Sequence, residues 1–117
     1  MTPEEFWRDL VKAPLSKPDA RTLFERNYKD ALLPGTMAPF LRGTVLSSTP
    51  EDAPGQLVLA MSDKTTPEVT LTFFGSNRLE RVPPGTVVEF EGVAKAFTPD
   101  PFMLTFEVGT RGVRLRF

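Results

Sequence analysis

The sequence predicts a mainly β protein, a small OB-like antiparallel barrel of five to six strands preceded by two short N-terminal helices, so that the class is α+β overall. Three observations support this. Residues 36–117 alternate β-branched or aromatic residues with polar ones, Pro/Gly clusters separate the alternating stretches, and residues 1–35 instead space their apolar residues as a helix does. We therefore expect two parts, a helical appendage at 1–35 that packs on the barrel and an OB-like β-barrel domain at 36–117.

The helical part has two start signals. Thr2-Pro3-Glu4-Glu5 is a capping box, which predicts a helix over about 3–12 that Pro14 limits. Ser16-Lys17-Pro18-Asp19 repeats the signal, and Pro34-Gly35 ends a second helix over about 18–32. We expect the large apolar side chains of both helices to cover one mouth of the barrel, the alternative being an exposed patch for a partner.

The strands follow from alternation with period two. The expected strands are Phe40–Ser48, Gln56–Ser62, Glu68–Phe74, Thr86–Phe97, Phe102–Val108 and Val113–Phe117. Three strands, a longer connection and then two strands is the order of an OB barrel, with space for a helix of one or two turns in Ser76–Val82. Gly43 and Gly92 lie inside strands, which indicates sharp bends. A small sandwich or an SH3-like barrel is the rival architecture.

The barrel segment also resembles a known family. The runs Gly43–Ser48, Leu57–Asp63 and Thr66–Thr72, followed by Pro84–Thr86, Phe90–Ala94 and Phe97–Phe106, are similar to the barrel domain at the C-terminus of certain bacterial, in particular acidobacterial, tetratricopeptide-repeat proteins. The run Pro101-Phe102-Met103-Leu104-Thr105-Phe106 is the most specific part. That domain has no assigned activity, so the resemblance implies no catalytic residue. Residues 1–35 lack a tetratricopeptide consensus, and two helices cannot build a solenoid.

The composition argues against most enzymatic chemistry. Among 117 residues there is neither cysteine nor histidine, which removes thiol nucleophiles, imidazole bases and zinc-finger ligand sets. We therefore predict no enzyme, no catalytic residue, no cofactor and no metal. Asp63 and Glu68 flank a turn and suggest a cation site, but we interpret them as two solvated turn carboxylates because EF-hand spacing is missing.

The remaining function is binding. We predict a non-catalytic interaction module for a protein partner or a small ligand, with Phe40, Arg42, Phe74 and Lys95 as the binding residues. The alternative is single-stranded nucleic acid on the same face, which is less favoured because the net charge is −1. A carboxylate- or metal-dependent enzyme ranks below both. At the last strand, we interpret Arg111, Arg114 and Arg116 as edge protection in preference to an anion or phosphate contact.

The chain carries no sign of a membrane or targeting segment. Its apolar runs are only a few residues long, whereas a spanning helix needs about 20. The N-terminus is acidic and lacks the apolar stretch of a signal peptide. We predict a soluble bacterial protein of the cytoplasm that does not contact a membrane, or a periplasmic or exported location if the sequence is a piece of a larger exported protein.

Overall fold

The first helix begins at the predicted capping box. The computed structural model describes residues 2–35, 40–49, 55–73, 81–109 and 112–116. Thr2 Oγ1 accepts a hydrogen bond of 3.1 Å from the Glu5 backbone N–H, and α1 (Pro3–Glu5) follows. The helix then widens into a π-helical segment (Phe6–Lys12). Together they form the first helix, residues 3–12, at the predicted position.

The second helix is shorter than predicted. A 3-10 turn (Pro14–Ser16) leads to α2 (Ala20–Leu23), which continues as a π-helical segment (Phe24–Tyr28). This second helix, residues 20–28, therefore ends well before residue 32. Asp30 adopts a positive φ of 66°, which a helix cannot contain, and the chain turns there toward the sheet.

The described residues form eight strands in one sheet. They are β1 (Leu32–Leu33), β2 (Leu41–Thr49), β3 (Gln56–Ala60), β4 (Pro67–Phe73), β5 (Val87–Phe90), β6 (Gly92–Pro99), β7 (Phe102–Val108) and β8 (Val113–Arg116). The predicted count of five to six strands is wrong for two reasons. The two-residue β1 was not expected, and the segment predicted as the single strand Thr86–Phe97 is divided between β5 and β6.

The sheet curls back on itself. Its strand order is β1-β6-β7-β4-β3-β2-β5-β8. β5 pairs with β2 and β6 pairs with β7, yet only Glu91 separates β5 from β6. Glu91 thus links two strands that lie far apart in the strand order. The sheet must curl into a barrel-like shape to bring these two strands together.

One strand pair is parallel. β4 and β7 run in the same direction, with Val69 opposite Leu104 and Phe73 opposite Val108. The prediction of a wholly antiparallel barrel is therefore wrong at this pair, although the other pairs are antiparallel. A tight turn joins two strands in antiparallel directions. β7 instead reaches β4 after the chain has passed through β5 and β6, and this long connection allows the two strands to run parallel.

The predicted bend at Gly92 has a packing reason. A Cβ atom at this position would lie 2.5 Å from Val108 Cγ1 and 3.0 Å from the Glu107 carbonyl oxygen. Only glycine lets β6 approach β7 this closely where the long strand changes partners.

The helices and the sheet share one apolar core. Trp7 meets Phe102 edge to face at 5.9 Å between ring centroids, and Phe24 stacks on Phe97 at 5.6 Å. The buried helix residues are Phe6, Trp7, Val11, Leu15, Ala20 and Phe24. They enclose the apolar face of the sheet on one side. None of the described helices combines the length and the apolar character needed to traverse a bilayer.

Candidate functional site

Arg42, a predicted binding residue, is held by two carboxylates. It lies on β2 beside Glu89 of β5, and their side chains form an ion pair of 3.0 Å. A second ion pair of 3.5 Å joins Arg42 to Glu4 of the first helix. Because Glu89 is buried, Arg42 neutralises its carboxylate and also ties the helix to the sheet.

Phe40 is half-buried and partly covered. The Arg114 guanidinium on β8 lies 4.6 Å from the centroid of its ring, a cation–π contact. Arg114 also stands directly opposite Glu89 in the β5–β8 register. Phe40 therefore presents less of its ring surface than the sequence suggested, because Arg114 occupies one side of it.

Lys95 lies elsewhere on the sheet. On β6 it forms an ion pair of 2.9 Å with Asp30, which follows the second helix. This hydrogen bond lowers the pKa of the Asp30 carboxyl and raises the pKa of the Lys95 ammonium. Among the described residues, no contact brings Lys95 to Arg42. Phe74, the fourth predicted residue, lies outside the described residues.

The turn carboxylates Asp63 and Glu68 have separate structural roles. Asp63 accepts hydrogen bonds from the backbone N–H groups of Thr65 and Thr66, which lower the pKa of its carboxyl. Glu68 is buried and pairs with Lys12 of the first helix, so its prediction as a solvated carboxylate is wrong. Within the described part of the chain, no three acidic side chains cluster as metal ligands would.

A cleft opens between the first helix and β2. It has a volume of about 280 Å³, and its lining includes Glu4, Trp7, Arg42, Thr44, Met61 and Lys64. A smaller cavity of about 180 Å³ adjoins it and shares Trp7 and Met61. We call the two together the Trp7 cleft. Of the predicted binding residues that the structure describes, Arg42 alone lines it.

The cleft continues along β2. A third cavity, of about 400 Å³, shares Thr44, Lys64 and Val87 with the Trp7 cleft. A fourth, of about 220 Å³, shares Leu46 and Pro84 with the third and reaches Ser48. We call the complete series the β2 groove. From position 42 to position 48 it spans about 20 Å at the usual rise of an extended strand.

The groove is more basic than the rest of the molecule. Its lining contains four basic side chains, Arg8, Arg42, Lys64 and Arg81, and two acidic ones, Glu4 and Asp63. The whole chain, in contrast, carries a net charge of −1. Lys64 and Arg81 have no hydrogen bond or ion pair to another described residue. The groove thus offers uncommitted positive charge to a ligand.

Sequence reasoning missed Trp7 as a residue of the site. The helical spacing of Phe6, Trp7 and Leu10 assigned all three to an apolar stripe, and Trp7 is indeed 3% exposed. No pattern in the sequence shows that one edge of this ring would line a cleft. Comparisons of the chain with protein families, with curated proteins and with solved structures return no match.

Proposed function

We propose that the protein is a non-catalytic binding module that holds an extended, acidic segment of a partner protein in the β2 groove. The observation that carries this proposal is the continuity of the groove, since adjoining cavities share residues from Trp7 to Ser48. An extended segment suits a groove about 20 Å long, and acidic side chains suit Lys64 and Arg81, which form no ion pair with a described residue.

We further propose that the barrel-like sheet is OB-like. The parallel pair β4–β7 and the bent segment from β5 to β6 support this, because an OB barrel closes through one long strand that pairs on both sides. The proposed kinship with the barrel domain of bacterial tetratricopeptide-repeat proteins agrees with it, since the specific run 101–106 falls where β7 begins.

Single-stranded nucleic acid is the second candidate, and the basic lining of the groove favours it. Nucleic-acid barrels of this kind also stack bases on exposed aromatic rings. Here Phe97 stacks on Phe24 within the apolar core, and Phe40 lies against Arg114. These engaged rings favour the acidic segment over an oligonucleotide.

The test begins with selection of binders from a random dodecapeptide display library. The selected peptides are then measured by fluorescence anisotropy against a groove variant, Lys64→Glu/Arg81→Glu, and a matched control, Lys17→Glu/Arg26→Glu, whose exposed positions lie outside the groove. We expect acidic peptides that lose about tenfold or more in affinity for the groove variant alone. Equal binding to both variants, or no selected peptide, would overturn the proposal.

A labelled thymidine 15-mer distinguishes the nucleic-acid alternative. We expect it to bind more weakly than the selected peptides at 150 mM salt. Tighter binding that falls steeply as salt increases, and that the groove variant abolishes, would replace the protein segment with single-stranded nucleic acid as the ligand.

A further inference from the structure

Trp7 lines the cleft and carries an unsatisfied hydrogen-bond donor. Trp7 is buried, and its Nε1–H has no acceptor, the only such case among buried side-chain nitrogen and oxygen atoms of the described residues. More than nine in ten buried polar groups in proteins find a partner, so an unpaired indole N–H needs an explanation. A ligand acceptor would provide one if the ring shifts on binding, because this nitrogen is buried from solvent.

The other free groups of the cleft can also donate. The Lys64 ammonium and the hydroxyl groups of Thr44 and Ser62 make no hydrogen bond or ion pair to a described residue. The carboxylates of the cleft are already engaged, because Glu4 pairs with Arg42 and Asp63 accepts hydrogen bonds from its own turn. A ligand with acceptor atoms and negative charge therefore complements the remaining ammonium and hydroxyl groups.

The cleft also has an apolar wall. The Trp7 ring, the Met61 side chain and Val87 contribute it, and the volume of about 280 Å³ lies at the lower end of the range for small-molecule pockets. Met61 can occupy this position because residue 43 is a glycine: a Cβ atom at position 43 would lie only 2.8 Å from Met61 Sδ. A small apolar body fits against this wall beside the donors.

We propose that the Trp7 cleft binds a carboxylate group carried on a small apolar body, with Lys64 as the charged contact and the Trp7 indole N–H as a second donor. The inference deepens the proposed function, on which it rests, because it assigns the end of the β2 groove to one chemical group. A terminal or side-chain carboxylate of a bound protein segment and a free carboxylic acid share this chemistry.

Phenylacetate is a suitable probe, because it places a carboxylate on one aromatic ring. Phenylacetamide is the matched neutral compound, and inorganic phosphate is the competing small anion. Trp7 is the only tryptophan of the chain, so its fluorescence reports on the cleft directly. The variants are Lys64→Gln and the control Lys17→Gln, both at exposed positions, and their thermal midpoints show whether the fold is retained.

We expect phenylacetate to change the Trp7 emission saturably, whereas phenylacetamide leaves it unchanged. Lys64→Gln should raise the Kd of phenylacetate about tenfold, and Lys17→Gln should not change it. Equal responses to acid and amide, or equal Kd values in the two variants, would overturn the inference. Displacement of phenylacetate by a lower concentration of phosphate would do the same.

Peptide capture separates this inference from the proposed function. If selected acidic peptides still require Lys64 and Arg81 while phenylacetate has no effect, the carboxylate subsite is wrong and the groove remains the binding site. If both peptide capture and the phenylacetate response are insensitive to the groove variants, both proposals fail. Amidation of the peptide C-terminus shows which carboxylate enters the cleft: a loss of affinity identifies the terminal group, and unchanged affinity identifies a side chain.

Discussion

Glu68 at the start of β4 and Lys12 of the first helix form an ion pair whose carboxylate is 3% exposed. The other carboxylate oxygen accepts the Ser62 backbone N–H at 3.2 Å, and the Lys12 ammonium also lies 4.0 Å from the centroid of the Phe102 ring. This buried carboxylate therefore depends on the first helix for its counter-charge, which makes the helix an integral part of the fold.

Removal of Lys12 should consequently destabilise the whole protein. We expect Lys12→Met to lower the free energy of unfolding by about 3 kcal/mol, because it leaves the Glu68 carboxylate buried without a cation. Urea denaturation followed by far-UV circular dichroism measures this. The double variant Lys12→Met/Glu68→Gln should lose less than the single one, and additive losses would contradict the coupling of the two residues.

Gly92 should not tolerate a side chain. Its Cβ would meet Val108 Cγ1 at 2.5 Å, so Gly92→Ala must displace β6 from β7, at a cost of about 2–3 kcal/mol. Thermal unfolding of the variant provides the measurement. Ala96→Ser, at an exposed position of the same strand, serves as the control and should stay within about 0.5 kcal/mol of the wild type. A Gly92→Ala protein as stable as the control would show that the close approach is absent.

Tyr28 joins the two helices. Its hydroxyl donates a hydrogen bond of 2.6 Å to the Leu10 carbonyl oxygen, so Tyr28→Phe should cost about 1 kcal/mol of unfolding free energy. Burial raises the pKa of Tyr28. The stabilisation that the buried Tyr28 hydroxyl contributes is therefore complete below about pH 10, the pKa of a tyrosine in the unfolded chain. It is lost as pH rises through the higher pKa of Tyr28 in the folded protein. Denaturation of both proteins between neutral and alkaline pH measures the difference, which should shrink at high pH; a constant difference would contradict it.

Asp63 should titrate below the ordinary range for an aspartate. The backbone N–H groups of Thr66 and Thr65 and the Thr66 hydroxyl hold its pKa down. Because the folded pKa is the lower one, the stabilisation is complete above about pH 4 and fades as pH falls through the folded value. NMR of the side-chain carboxyl carbon measures the pKa. Thr66→Val should raise it toward the ordinary value, and an unchanged pKa would exclude the hydroxyl as a cause.

Local patterns predicted most of the strands. Alternation located β7 at Phe102–Val108 and placed β2, β3 and β4 within two residues of their ends. In β2 and β7 the alternation reflects one buried and one more exposed face, whereas β4 is buried on both faces over residues 68–71. β1 was not predicted, because two leucines are too few to show the alternation of a strand. Their pairing with β6 also depends on the tertiary fold, which local sequence does not reveal. The division at Glu91 was missed for a similar reason, as the exchange of partners at that point leaves no sign in the alternation.

The binding residues were harder to predict than the strands. Arg42 was predicted as a binding residue, but its carboxylate partners Glu4 and Glu89 are distant in sequence and could not be assigned to it. Lys95 was predicted to belong to the same binding face as Arg42. Its partner Asp30 follows a helix whose end was predicted too late, so the ion pair could not be foreseen.

The parallel pair β4–β7 has a consequence for synthesis of the protein. During translation, β4 leaves the ribosome with β3 as its only neighbour in the sheet, and its second edge stays bare until residue 108 has emerged. Pairings that join such distant segments form late and slowly. The nascent chain therefore leaves the backbone groups along this edge of β4 unpaired for the time needed to make more than thirty further residues, which is when a chaperone would have most to protect.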